Sequence, residues 1–201
     1  MHPAPAFLDT DRDRLMRRIE AWPFALVVGV AEGRARVAHT PVIRGTGDTL
    51  RFHLARMNPA CQAIVDARRA LIVFTGPNDY ISPDWYGIDD QVPTWNYLSV
   101  EAEGAVRPLD DDGATSLLDA LSARFEEDLY PKPEWTREKM SEGRFDAMLK
   151  GITAFEMAPE RLEGITKISQ NKPDEARQRA GAALKAAGGD PTLSTMMERK
   201  S

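Results

Sequence analysis

The sequence predicts an α+β chain: a mainly antiparallel barrel decorated by helices. Three observations carry this. Six or so segments are apolar throughout or alternate apolar with polar residues, as strands do. The early segments are joined by short turns, "AEG" (31–33) and "GTGD" (45–48), which return the chain antiparallel instead of crossing over. Neither a strand–GxGxxG–helix unit nor a GxxxxGK[ST] loop opens a doubly wound sheet.

The elements follow in order. "DTDRDRLMRRIEAW" (9–22) predicts a helix with Asp9 or Thr10 as cap and Leu15, Ile19 and Trp22 on one side, stopped by Pro23. "FALVVGV" (24–30) is an apolar strand, and "RARVAHTPVI" (34–43) alternates and pairs with it. "TLRFHLA" (49–55) is a third strand. "NPACQAIVDARR" (58–69) is a helix and "ALIVFTG" (70–76) a buried strand. "TWNYLSVEAEGAVRPL" (94–109) is a long strand. In "DDDGATSLLDALSARFEEDLY" (110–130), Leu117, Leu118, Leu121, Phe125 and Leu129 share one helix face. "PKPEW" breaks the chain before a short helix in 137–151. Residues 152–169 supply one or two strands. "PDEARQRAGAALKAAGG" (173–189) is a helix, with acidic residues at its start and Gly188 after its end. Residues 1–189 read as one domain and 190–201 as a loosely tied tail.

Composition narrows the function classes. A hydrophobic content of 42% with 28% charged residues marks an ordinary globular protein. A formal charge of −5 lacks the footprint of a dedicated nucleic-acid binder, although a local basic patch is compatible with it. The single cysteine, Cys61, excludes an intrachain disulfide and a thiolate metal cluster and fits a reducing compartment. The N-terminal stretch has no apolar run, and no window approaches the roughly 20 apolar residues that span a bilayer. The reading is a cytoplasmic protein without a membrane partner.

Two polar patterns stand out. In "HLARMNPACQAI" (53–64) a strand ends, Arg56 follows, and a helix starts with Asn58 as cap and Pro59 at its first position. An arginine fork beside a helix amino end makes an anion site. The same residues also describe a capped helix with a solvated arginine, the commoner use of an Asn-Pro start. In "TKISQNKPD" (166–174), Lys167, Ser169 and Asn171 fall on one face of an extended strand, with Gln170 and Lys172 on the other. Such a strand presents donors to a polar heterocycle, or it is an exposed edge guarded by lysine. His39 and His53 lie on neighbouring strands without the companions of a triad or a metal site and read as structural. No metal site is predicted.

"NDYISPDWY" (78–86), "VPTWNYLSVEAEG" (92–104), "HLARMNP" (53–59) and "KISQNKP" (167–173) closely resemble the PaiB-type family, described as FMN-binding negative transcriptional regulators. The likeness runs from "PAFLDTD" (5–11) to the 173–189 helix. It implies an FMN-binding, Greek-key split β-barrel, similar to the pyridoxamine-oxidase-like flavoproteins, that forms a homodimer with FMN at the subunit interface. By that resemblance His53, Arg56 and Asn58 surround the FMN phosphate. Thr94, Trp95 and Asn96 lie beside the isoalloxazine and ribityl chain. Lys167, Ser169, Gln170, Asn171 and Lys172 close the pocket. Pro77, Pro83 and Pro93 then fix an irregular path, and Trp85, Tyr86, Trp95 and Tyr97 supply flat walls for a ring and for the dimer seam.

Three functions compete on such a barrel, and fold alone decides none. The first is a regulator or redox/ligand sensor. The second is a flavin-dependent oxidoreductase acting on a small substrate or on free flavin. The third is a heme-handling protein with His39 or His53 as axial ligand. No helix-turn-helix is legible and the basic residues form no long stripe, so DNA is weakly supported as a partner.

Overall fold

A computed structural model describes residues 4–199. The elements are β1 (Leu8–Asp9), α1 (Arg12–Ala21), β2 (Phe24–Ala31), β3 (Arg34–Arg44), β4 (Leu50–Ala55), α2 (Pro59–Ala67), β5 (Arg69–Ile81), β6 (Thr94–Pro108), α3 (Asp111–Glu127), α4 (Arg144–Leu149), β7 (Ile152–Lys167), α5 (Asp174–Ala186) and α6 (Pro191–Glu198). Seven strands lie in the order β1-β7-β4-β3-β2-β5-β6, and β6 also pairs with β7, so six of them close on themselves. The pairings β1–β7, β2–β3, β2–β5, β3–β4 and β4–β7 are antiparallel. The predicted α+β antiparallel barrel is borne out. The chain divides into two compact units. Of the described residues, unit one holds 4–18, Thr75–Val100 and 163–199; unit two holds Ile19–Phe74 and Glu101–Leu162.

Unit two is built by short-range rules. β2 and β3 form a hairpin in which Ala31 faces Arg34. The two loop residues, Glu32 and Gly33, both have positive φ (52° and 70°), the backbone of the turn whose twist matches that of paired strands. β4 alternates: Leu50, Phe52 and Leu54 are buried while Arg51 and His53 are not. Phe52 stacks on Phe155 with ring centroids 5.3 Å apart, across the register pair that joins β4 to β7. β6 and β7 approach so closely that a Cβ on Gly104 would lie 2.1 Å from the Ala158 carbonyl oxygen, so only glycine serves there. α3 starts at Asp110, whose carboxylate accepts from the Gly113 amide at 2.8 Å, and buries Leu117 and Leu121.

Unit one is organised by polar anchors. Asp9, which the sequence offers as a helix cap, instead sits in β1 and is 5% exposed. Arg14 donates to both of its oxygens at 2.7 and 2.6 Å, and Arg18 lies 3.3 Å away. Asp11 does the capping, accepting from the Arg14 amide at 2.9 Å. The last residues, expected to be loosely tied, form α6. Asp190 accepts from the Thr192 and Leu193 amides, Pro191 takes the first position, and Leu193 and Met197 are buried. Arg177 of α5 donates to the Met197 carbonyl at 2.6 Å, satisfying a carbonyl at the end of α6.

Two further expectations change. Residues 168–172 are not strand: β7 stops at Lys167, and Ser169 has a left-handed backbone with φ 63°. Pro77 does not break the chain either, because β5 runs on through it to Ile81. Pro83 does interrupt it, opening a short 3-10 turn that ends at Tyr86.

Candidate functional site

In unit one a cavity of about 390 Å³ is lined by Ala4, Phe7, Tyr86, Val92, Thr94, Asn96, Lys167, Ser169, Asn171 and Lys172. The structure therefore brings together Thr94, Asn96, Lys167, Ser169, Asn171 and Lys172 from the predicted set. The turn at 168–172 makes this possible. Its left-handed Ser169 directs a 3% exposed side chain to meet Tyr86 and Asn96. The Tyr86 and Ser169 hydroxyls hydrogen-bond at 2.6 Å, and Asn96 Nδ2 donates to Ser169 Oγ at 2.9 Å. Asn96 is fully buried, so it serves the frame of the cavity. Burial pushes the Tyr86 phenol up, against the lowering effect of its bond to Ser169, so it stays a neutral hydrogen-bonding group.

Cations edge this cavity. Lys167 Nζ donates to the Trp95 carbonyl at 2.6 Å and to Thr94 Oγ1. Burial holds the Lys167 ammonium below the usual lysine range. Lys172 Nζ donates to Gln91 Oε1 and lies 5.7 Å from the centre of the Tyr86 ring. Gln170 is placed differently. Its side chain turns back on its own segment, accepting from the Ile168 amide and donating to the Ala6 and Thr166 carbonyls. Trp95 is 56% exposed and meets Tyr80 edge to face at 6.3 Å. Sequence reasoning left Phe7 and Val92 out of the site. No local pattern marks either, because their role exists only where distant segments converge.

Unit two holds the other predicted residues. Asn58 caps α2 as expected, its side chain accepting from the Ala60 amide at 2.8 Å. The Cys61 amide is bonded to the Asn58 carbonyl, and Pro59 has no N–H. The first donors of α2 are thus already used, which corrects the expectation of a free amide cradle. Arg56 is exposed and donates one bond, to the Ile152 carbonyl at 2.8 Å, leaving the rest of its fork available. His53 faces a separate, largely apolar cavity and is held neutral by burial. His39 stacks on Phe24 at 5.9 Å.

A family model described as "Putative FMN-binding domain" matches residues 1–161. The chain belongs to that family. Its cofactor is a flavin, and the resemblance read from the motifs is borne out. The matched span ends before the 168–172 turn. The protease synthase and sporulation protein PAI 2 of Bacillus subtilis (strain 168) is 28% identical over 169 residues, covering 83% of this chain and 80% of that relative. Fungal relatives are matched over less of their length: an uncharacterized protein of Emericella nidulans is 27% identical over 60% of each chain. Among solved structures, the FAD and heme binding protein from Mycobacterium smegmatis aligns with a TM-score of 0.60 at 22% identity, over 91% of this chain and 80% of that one. The flavocytochrome Anf3 from Azotobacter vinelandii aligns with a TM-score of 0.62 at 13% identity, over 83% and 72%. At these identities the two structures attest the fold.

The residues of unit one fit a flavin. A cavity of about 390 Å³ with an apolar wall at Phe7 and Val92 and donors at Lys167, Asn171 and Lys172 has the size and make-up of a small-molecule pocket. Asn171 is exposed at the edge of this cavity.

Proposed function

We propose that this family member is an FMN-binding split-barrel protein that senses redox state or a ligand in a regulatory role. The observation that carries the flavin part is the unit-one cavity, whose buried Tyr86–Ser169–Asn96 frame fixes a rim bearing Lys167 and Lys172. A flavin supplies reversible electron-transfer chemistry when bound. The chain's own groups bind it and tune it: Lys167 and Lys172 offer positive charge, Asn171 a side-chain amide, and Thr94 a hydroxyl that already holds Lys167 in place. Arg56, in unit two and outside this cavity, is proposed for the phosphate on the family resemblance alone.

FMN should protect peptides covering 86–96 and 167–172 from hydrogen exchange. Protection confined to other segments would contradict this placement. The regulatory part predicts no strong direct DNA grip, given the charge of −5. A gel-shift series over a salt gradient checks it, since direct phosphate contacts weaken steeply with salt.

A homodimer belongs to the same proposal. On the outer face of β2 and β3, the register pairs Phe24 with Pro41, Leu26 with His39, Val28 with Val37 and Val30 with Ala35. Phe24, Val30 and Val37 on that face are exposed. An apolar sheet face suits a second copy of itself in a two-fold arrangement. Sedimentation should give a mass near twice 22.3 kDa. Val37→Glu should shift it to the monomer; a monomeric native chain would contradict the proposal.

A further inference from the structure

The face of β4 that looks away from the barrel core bears His53, and α3 and α4 belong to the same unit. There an open cavity of about 330 Å³ is lined by His53, Leu118, Trp135, Phe145, Met148 and Ile152 among others. It shares no lining residue with the flavin candidate of unit one. Its walls are mostly apolar, with one hydroxyl at Ser122, and aromatic rings and methionines give them flat and adaptable surfaces. Charge is confined to Arg137 and Asp119, which pair with each other at 3.3 Å while the guanidinium lies 5.4 Å from the centre of the Phe145 ring.

One feature of this cavity has no role in the fold. His53 Nδ1 is shielded from solvent and has no hydrogen-bond partner. Buried polar atoms in folded proteins are nearly always satisfied, so an orphan beside a cavity points to a partner that arrives from outside. Burial also disfavours a charged imidazole, and a neutral ring keeps one nitrogen as acceptor.

We propose that this cavity is a second ligand site. It takes an uncharged, ring-containing molecule that donates one O–H or N–H hydrogen bond to His53. The mostly apolar lining disfavours charged ligands, since its two charges, Arg137 and Asp119, are already paired with each other. A volume of about 330 Å³ has ample room for a fused-ring aromatic. His53, which the family resemblance sets beside the FMN phosphate, is here given a different partner, and the test uses no flavin.

The probes are 1-naphthol and its methyl ether, 1-methoxynaphthalene, which has the same rings without the donor. Both are titrated calorimetrically into the full chain. 1-Naphthol should bind once per chain, and the ether about 10-fold more weakly, the worth of one hydrogen bond and its unpaired acceptor. His53→Leu should bring 1-naphthol down to the affinity of the ether and leave the ether unchanged. Leu118→Trp, which fills the cavity and leaves His53 intact, should weaken both probes. No saturable binding of either probe overturns the proposal. So does a preference for 1-naphthol that persists in His53→Leu, or binding untouched by Leu118→Trp. Should His53→Leu fail to fold, the Leu118→Trp arm and the ratio between the two probes still decide.

Discussion

Replacing Ser169 with alanine removes the hydroxyl on which the unit-one frame converges. Tyr86 is 1% exposed and loses its hydroxyl partner at 2.6 Å. An orphaned buried hydroxyl costs about 1–3 kcal/mol. Asn96 loses its 2.9 Å bond but keeps a weak acceptor in Met197 Sδ at 3.3 Å, so its share is smaller, about 1 kcal/mol. Together the loss is about 2–4 kcal/mol. With a urea slope of about 2 kcal/mol/M, the unfolding midpoint falls by about 1–2 M. Ser169→Gly loses the same bonds but relieves the left-handed backbone at φ 63°, which costs a residue with a Cβ about 1 kcal/mol. The glycine variant should therefore be the more stable of the two. Urea titration followed by tryptophan fluorescence reads both variants, and FMN affinity should fall in both as the rim loosens. A midpoint within about 0.25 M of the native chain, or a glycine variant weaker than the alanine one, would refute the claim that Ser169 holds this frame.

Other substitutions separate the remaining roles. Arg56→Ala should weaken FMN about 10- to 100-fold and barely change riboflavin, since charge-assisted bonds of about 1.5–3 kcal/mol reach only the phosphate; equal losses for both ligands would remove Arg56 from the phosphate. Lys167→Met should lower the flavin reduction potential by tens of millivolts, about 30 mV per 1.4 kcal/mol in a two-electron couple, because the nearby cation favours the anionic reduced flavin; an unchanged potential would place the ammonium away from the ring. Asp9 gives a pH signature. Burial alone would raise its carboxyl, but the Arg14 hydrogen bonds, the Asp11 amide and the charge of Arg18 outweigh it and hold it below its ordinary value. A depressed carboxyl stabilises the fold above its unfolded value of about 3.9, and that stability drains away as the pH falls below about 4. Asp9→Asn should then be less stable at neutral pH and lose less on acidification, read as melting temperatures from pH 7 to about pH 3; parallel curves would contradict it.

Local chemistry made the barrel of unit two readable. The alternation in 50–54, the turn at Glu32–Gly33 and the Asn58–Pro59 start of α2 each depend on neighbours in sequence. The Asp190–Pro191 start of α6 is the same kind of signal, yet it opens a helix of eight residues too short to show a clear apolar period. The polar character of 167–172 was legible, but its shape was not. A left-handed serine has no compositional mark, and the bonds that hold it come from Tyr86 and Asn96, far along the chain. Asp9 was legible as a capping residue type, whereas its pairing with Arg14 and Arg18 depends on burial in β1. The cavity facing His53 was not legible at all, since α3, α4 and β4 meet there from sequence positions about a hundred residues apart.

The most direct test of the account is equilibrium dialysis of the purified chain against FMN, followed by its visible spectrum. Flavin absorption should be retained at one FMN per chain and be reduced in Ser169→Ala relative to the native chain. A chain that retains no flavin at saturating FMN, or that shows a Soret band in its place, would contradict it.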